Sequence, residues 1–325
     1  MRRVLTAALL AATALTGTLF HTPGVAAYPE RPIRVIVPVP PGGIIDQVVR
    51  IITPPMAEML KQPIVVENRP GASGNIAASF VARSAPDGYT MLAGYSMFHV
   101  GNPVMFHKLD WDPVKDFAPV AMLVSSPHVI AVNPKLPVHT LKELVDYAKA
   151  HPGELNYATS GNGSVPHIGM ELFKQRTGVQ ITHVPYKGAG PAIQDVLGGN
   201  VQMTVATPPS LAGFVTTGRL RPLAIAAKSR IPMLPDVPTT AEAGFPGFEL
   251  EAWVALFAPA GTPKDVVAML SEAAQKSLQT DKVKDALAAA GVSAWYLTPP
   301  ELDQQVRKDI DYWQPVIRKA NITIE

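Results

Sequence analysis

Cysteine is absent from the 325 residues. That excludes disulfide scaffolds, thiolate metal sites, cysteine nucleophiles and a lipid-anchored cysteine behind an export signal. An excess of one charge is missing too: 28 Lys and Arg face 26 Asp and Glu, a formal net charge of +2. A nucleic-acid binder usually shows a basic face, so that class is set aside. Charged residues make up only 17% of the chain and aromatics 7%. Beyond the amino-terminal stretch no apolar run is long enough to cross a bilayer, because charge, glycine or proline interrupts each one. Repeats and low-complexity tracts are lacking. What is plentiful is apolar side chain, 47%, with 33 prolines and 24 glycines. This is the composition of a well-buried globular chain with many short turns, long enough for two ordinary domains.

Residues Met1–Ala27 have the layout of a secretory signal. Arg2 and Arg3 open it, an apolar stretch runs from Val4 to Phe20, and Val25-Ala26-Ala27 closes it before Tyr28. A membrane anchor is the bland alternative. The stretch is broken by Thr6, Thr13, Thr16, Gly17 and Thr18 and falls short of the roughly 20 apolar residues a span needs. Cleavage after Ala27 and export as a soluble protein are therefore expected.

Short apolar runs then alternate with helical patterns. Ile33–Val37 reads as a strand buried on both faces. Val48, Val49, Ile52, Met56, Met59 and Leu60 fall on one helix face, which Pro54-Pro55 should kink or break. Ile64–Glu67, Thr90–Ala93 and Val120–Val124 are further strands, with a helix at Asn75–Arg83. A second set of strands is expected at Val129–Val132, Leu155–Ala158, Thr182–Pro185, Val201–Ala206 and Leu223–Ala227. Its helices are expected at Leu141–Ala150, His167–Thr177 and Pro191–Gly198. Helical patterns over Val266–Ala290 and Pro300–Lys319 finish the chain. Such β-α-β alternation predicts two α/β lobes, each with a mostly parallel sheet flanked by helices. The expected division is 28–127 and 253–325 for a discontinuous first lobe and 128–252 for the second, with joints near Ser125–Val129 and Glu251–Leu256.

Three glycine turns sit at strand ends. The first, Val39-Pro40-Pro41-Gly42-Gly43-Ile44-Ile45-Asp46, follows the opening strand. Ser160-Gly161-Asn162-Gly163-Ser164 precedes a helix near His167, and Tyr186-Lys187-Gly188-Ala189-Gly190 precedes one at Pro191. Ligands of open α/β sheets bind beyond the carboxyl ends of strands, and a helix start offers unpaired N–H groups to an anion. Each turn also reads as a plain tight turn, with Asp46 satisfying a helix start; three in two lobes, facing one cleft, carry more weight than one. Ser96, Met97 and Phe98 stand at another strand end, as does Thr207. Trp253 reads equally as cleft wall or core.

Catalytic and cofactor motifs are weaker. Neither Gly161-Asn162-Gly163 nor Gly188-Ala189-Gly190 has the third glycine of a dinucleotide fingerprint, and no phosphate loop, HExxH or GxSxG exists. Ser164 three residues before His167 leaves an exported serine hydrolase as the alternative, although helix N-caps often look this way. The His99/His107 and His128/His139 spacings suit no metal. No cofactor or metal is expected.

The sequence resembles the periplasmic substrate-binding receptors of tripartite tricarboxylate transporters, the Bug proteins, over essentially all of its length after the signal. The resemblance runs through Tyr28-Pro29-Glu30-Arg31-Pro32-Ile33, Pro40-Pro41-Gly42-Gly43 with Asp46 and Arg50, and Val66-Glu67-Asn68-Arg69-Pro70-Gly71 with Gly74-Asn75. It continues in Pro86-Asp87-Gly88-Tyr89-Thr90, Pro113-Val114-Lys115-Asp116-Phe117, Gly163-Ser164 with His167, and Tyr186-Lys187-Gly188 with Pro191-Ala192. Leu234-Pro235-Asp236-Val237-Pro238-Thr239 and Phe257-Ala258-Pro259-Ala260-Gly261-Thr262-Pro263 complete it. The resemblance implies a two-lobed, type II-like periplasmic binding protein that closes on a small organic acid and delivers it to membrane subunits of such a transporter. It implies a monomer that is not an enzyme. It also implies that Pro40–Asp46 holds a ligand carboxylate through backbone groups and waters, with contacts from Ser160–His167 and Tyr186–Gly190 opposite. Many relatives carry an aromatic residue where Val39 stands and Thr or Ser where Ile45 stands. These departures predict a ligand with an apolar portion beside its carboxylate.

Overall fold

The computed structural model describes residues 28–324; the expected export signal lies outside the described residues. The chain opens with β1 (Ile33–Val37), α1 (Ile44–Leu60), β2 (Ile64–Asn68), a single 3-10 turn (Ala72–Gly74), α2 (Asn75–Ala82), β3 (Thr90–Tyr95), α3 (Ser96–Met105) and β4 (Phe117–Pro127). A middle group follows: β5 (Val129–Val132), α4 (Leu141–Ala150), β6 (Leu155–Thr159), α5 (Val165–Thr177), β7 (Ile181–Pro185), α6 (Ala189–Gly198), β8 (Met203–Ala206), α7 (Pro208–Thr216) and β9 (Arg221–Ile225). The last group is β10 (Glu251–Pro259), α8 (Lys264–Gln279), α9 (Asp281–Ala289), β11 (Ser293–Leu297) and α10 (Pro299–Lys319).

Strands from both ends of the chain build a six-stranded sheet in the order β11-β4-β10-β3-β1-β2. The middle of the chain alone builds a five-stranded sheet, β7-β6-β8-β5-β9. Both sheets are mixed rather than mostly parallel. β1 runs parallel to β2 and β3, whereas β10 is antiparallel to β3 and β4, and β11 to β4. In the second sheet β6 is parallel to β7 and β8, and β5 is antiparallel to β8 and β9. The reason lies in how the chain passes between the lobes. β4 carries it out and β10 brings it back, and two neighbouring passes in opposite senses must pair antiparallel, from Glu251 opposite Pro127 to Pro259 opposite Phe117. The expected joint at Ser125–Val129 spans the end of β4 and the start of β5, and the one at Glu251–Leu256 falls within β10.

β1 explains its own apolar run. Ile33, Val35 and Val37 pack with Val48, Val49, Ile52 and Met56 of α1 in one core cluster, whereas Ile36 belongs to the cluster holding Ala77, Ala78 and Val81 of α2. With both faces covered, alternation disappears. Each such side chain contributes roughly 1.5–3 kcal/mol on burial.

Other expectations need correction. α1 runs unbroken through Pro54 and Pro55. The two missing N–H groups leave the carbonyls of Arg50 and Ile51 without helical donors, and Arg50 is an exposed residue. The next carbonyl, of Ile52, accepts the Ser277 hydroxyl of α8 at 2.8 Å. The pattern over 266–290 is two helices, separated at Thr280, whose side chain accepts the Val283 N–H. β11 then intervenes, so three helices end the chain instead of two.

Candidate ligand-binding site

β6, β7 and β8 are parallel neighbours, so their carboxyl ends share one edge of the second sheet, and each hands the chain directly to a helix. β3 does the same in the first sheet with α3. A cavity of about 310 Å³ opens between these helix starts. The second lobe contributes residues 160–166, Ala189, Val205, Ala206 and Thr207; the first contributes Ser73, Tyr95, Met97, Phe98, Asn102, Met105 and Ile324, and His128 stands between the sheets. No Asp, Glu, Lys or Arg lines it.

The 160–164 turn is shaped by its glycines. Gly161 and Gly163 have φ of +138° and +70°, conformations costly to side-chain-bearing residues. The Ser164 hydroxyl donates to the Gly161 carbonyl at 2.7 Å. The Gly163 N–H donates to His167 Nδ1 at 3.1 Å, so that nitrogen carries no proton. The His167 ring stacks on His183 at 3.8 Å. Burial, His183 and Lys174 push its pKa down to about 3. It is therefore a neutral brace for the turn. The Ser164 hydroxyl and His167 Nδ1 are each spent on the turn backbone, and no hydrogen bond joins the two residues among the described residues. The geometry gives the serine-hydrolase reading no nucleophile–base pair.

Helix starts leave their first N–H groups without internal acceptors. Here these are Val165 and His167 in α5 and Ala189 and Gly190 in α6, whereas Pro166 and Pro191 have none to offer. α7 begins with Pro208-Pro209 and so adds its partial positive charge but few donors. An anion in this cavity is compensated by main-chain groups rather than by a cationic side chain.

In the opposite wall Asn102 is fully buried. Its amide nitrogen donates to the Ser73 carbonyl and to Asn75 Oδ1, both at 2.8 Å. The chain's end seals one side: the Ile324 N–H donates to the Met105 carbonyl at 2.9 Å, and Asn162 Nδ2 donates across to the Thr323 carbonyl at 3.0 Å.

Of the sequence-predicted site residues, Ser160, Gly163, Ser164, Ala189 and Thr207 line the cavity. Val39, Pro40, Pro41, Gly42, Gly43, Ile44, Ile45 and Asp46 do not; their turn lies one strand along the same sheet edge, since β1 and β3 are parallel neighbours. Asp46 is buried and acts as the turn's clamp, accepting the Gly42 N–H at 2.9 Å, Arg50 Nε at 3.0 Å and Asn68 Nδ2 at 2.8 Å. Burial pushes its carboxyl up, but the hydrogen bonds from Arg50, Gly42 and Asn68 outweigh it and hold the pKa below the usual range. Ile45 is buried in the core, so the apolar character of the cavity comes instead from Met97, Phe98, Met105, Val165, Val205 and Ile324. Ser96 is buried behind the wall, and Gly188 caps α6. Tyr186 hydrogen-bonds Asp195. Trp253 belongs to the core, its indole N–H donating to Asp309 at 2.7 Å. Asn102, His128 and Ile324 were missed. Nothing local marks them, because their partners lie elsewhere in the chain.

Two α/β sheets joined by paired strands, with helix starts from both converging on a cavity, define a two-lobed solute-binding protein. Residues 48–322 match the model of the tripartite tricarboxylate transporter family receptor, and the chain belongs to that family. Protein BugT of Bordetella pertussis is 38% identical over 320 residues, covering 96% of this chain and 98% of that one. Among solved structures, R. palustris Rpa4515 with adipate shares 37% identity at a TM-score of 0.78, covering 91% of this chain and 99% of that chain. MatC from Rhodopseudomonas palustris with bound malate shares 38% at 0.75, covering 89% and 100%. Among the described residues no helix is long and apolar enough to cross a membrane, and no cluster of three His, Asp or Glu suits a metal ion.

Proposed function

We propose that this chain is a periplasmic receptor, without catalytic activity, that captures a small organic carboxylate between its lobes and presents it to the membrane subunits of a tripartite tricarboxylate-type transporter. The observation that carries this reading is a cavity rimmed by helix starts and free of charged side chains. A carboxylate held there receives charge-assisted hydrogen bonds worth roughly 1.5–3 kcal/mol each. Adipate in Rpa4515 and malate in MatC support the carboxylate class. The first lobe is taken as 28–127 with 253–325 and the second as 128–252. Closing them brings the 39–46 turn, with the free Ile44 and Ile45 N–H groups of α1, to the ligand's other side. A ligand that touches both lobes favours the closed form by its differential affinity.

Calorimetric titration and thermal shift with a panel of mono- and dicarboxylates test the proposal. Saturable 1:1 binding, near micromolar for the preferred acid (about −8 kcal/mol), without product formation, is expected. No melting-temperature rise with any acid contradicts it. So does ester or amide turnover that Ser164→Ala abolishes.

A further inference from the structure

Among the described residues, His128 and Tyr95 are the titratable side chains that line the cavity. His128 stands where β4 passes to β5, at the junction of the lobes. Its Nδ1 lies 3.2 Å from the Leu250 carbonyl, which also accepts the His128 main-chain N–H at 3.1 Å. A carbonyl cannot donate, so Nδ1 carries the ring's proton and Nε2 is left as an acceptor. Nε2 has no hydrogen-bond partner among the described residues. Unlike Ser96 Oγ and Asn102 Oδ1, which are sealed off, it keeps accessible surface. The residue is otherwise buried, so that surface belongs to the cavity.

The surroundings hold the ring neutral. Burial pushes its pKa down to about 4, with only the hydrogen bond to Leu250 working the other way. Tyr95, from β3, is neutral too, because burial raises its hydroxyl. Glu249 and Glu251 flank Leu250, and Lys228 lies two residues past Ala226, whose N–H donates to the His128 carbonyl at 2.8 Å. None of these three charges shifts the ring. Now let a ligand carry two carboxylates. The helix starts of the second lobe serve the first. The second would be buried with no cation beside it, a state that ionisable groups escape by changing protonation. An ionised carboxylate only accepts hydrogen bonds, and so does Nε2. Facing each other they repel unless a proton lies between them.

We propose that His128 couples ligand binding to proton uptake: when a dicarboxylate enters, its second carboxylate faces Nε2 and the pair takes one proton from solvent. A carboxylic acid on a neutral ring and a carboxylate on an imidazolium differ only in where that proton sits. The ligand arrives as a dianion, and the loaded cavity holds one net negative charge, the one the main-chain donors serve. This coupling rests on the carboxylate-receptor reading above and adds a pH dependence that main-chain donors alone would not give.

Calorimetry of the unmodified chain with succinate, glutarate and adipate at pH 7, in Pipes and in imidazole buffer, tests the coupling. Those buffers differ in heat of ionisation, so the difference in observed heat counts protons. About one proton per molecule of the best-bound diacid is expected, and its affinity should fall about 10-fold from pH 6.5 to 7.5. A monocarboxylate that binds should show neither effect. In His128→Gln the side-chain amide can donate to the second carboxylate without a proton from solvent, so the uptake should vanish and the pH dependence flatten. A merely structural role would lower affinity and leave the uptake intact. Nitrogen NMR of the histidine rings in the unmodified chain reads the same proton. The Nε2 signal of His128 should move away from the bare-nitrogen position when the diacid binds, and an unmoved signal overturns the proposal whether or not the variant folds. Diacid binding with uptake near zero and level affinity overturns the coupling and leaves the receptor reading standing, as does binding of monocarboxylates alone. Uptake that persists in the variant, through His167 or His183, overturns the assignment to His128. Failure of every acid in a wider carboxylate panel overturns the receptor reading and this proposal with it.

Discussion

At Gly163 three constraints meet in one residue. Its φ of +70° lies in the left-handed region, and a Cβ there would stand 2.5 Å from Ile324 Cδ1 and 2.9 Å from Met105 Sδ. Its N–H is also committed to His167. Gly163→Ala is expected to cost about 1–3 kcal/mol of stability, read from the denaturant midpoint, and to weaken binding of the preferred acid by about 10-fold. Unchanged affinity would separate this turn from the site. Single residues also show where sequence reading stops. Gly161, Gly163 and Ser164 were legible because a glycine turn between a strand and a helix is a local pattern. Asn102 was not. Its meaning comes from Ser73 and Asn75, 29 and 27 residues away, and no spacing within its own helix announces them. Trp253 carried no local sign of which side it would take, and burial decided for the core.

Among the elements, strands such as β1 and β5 were read almost to the residue because a strand covered on both faces is a continuous apolar run. α3 was missed. It is buried nearly all round and contains Gly101, Asn102 and Pro103, so it has neither a polar face nor a helix-like composition. β11 was missed for the opposite reason, since it is a short edge strand, exposed at Ser293 and Ala294 and only half-buried at Trp295, Tyr296 and Leu297, with no fully buried residue to mark it. α1 was expected to break at its prolines, but packing of Ile52 and Met56 in the core holds it together. Pro54 is exposed, so Pro54→Ala restores a backbone donor to the Arg50 carbonyl without touching the core. A gain of about 1 kcal/mol is expected, the helical benefit being partly offset by a more flexible unfolded chain. Denaturant unfolding measures it, and a clear loss would mean that the prolines shape the helix. Ile324 is the other element-scale probe, because it closes the cavity from the end of the chain. Ile324→Ala should weaken binding of apolar acids more than of polar ones of equal length, as paired titrations would show.

For the molecule as a whole, acid is the simplest stress. Three buried histidines resist protonation: burial pushes His99 and His128 down to about 4, and burial with His183 and Lys174 pushes His167 down to about 3. In the unfolded chain each titrates near 6.5. Between those values the unfolded state takes up protons that the folded state refuses, so stability falls as pH falls, by about 1.4 kcal/mol per pH unit for each group. Burial raises the carboxyls of Glu251 and Asp309, and their earlier protonation in the folded state offsets part of this. The melting temperature should be nearly level above pH 7 and fall steeply from pH 6 to 4.5; a level profile through that range would contradict the neutral assignment of the rings.

In the proposed receptor, main-chain nitrogens at helix starts, not a cationic side chain, hold the ligand's negative charge between the lobes. Crystallography of the chain soaked with its preferred acid measures this directly. The expected density places the carboxylate within hydrogen-bond distance of N–H groups at the starts of α5 and α6, with residues of the first lobe on its far side. A carboxylate paired with Arg or Lys, or lying outside the cavity between the lobes, would contradict it.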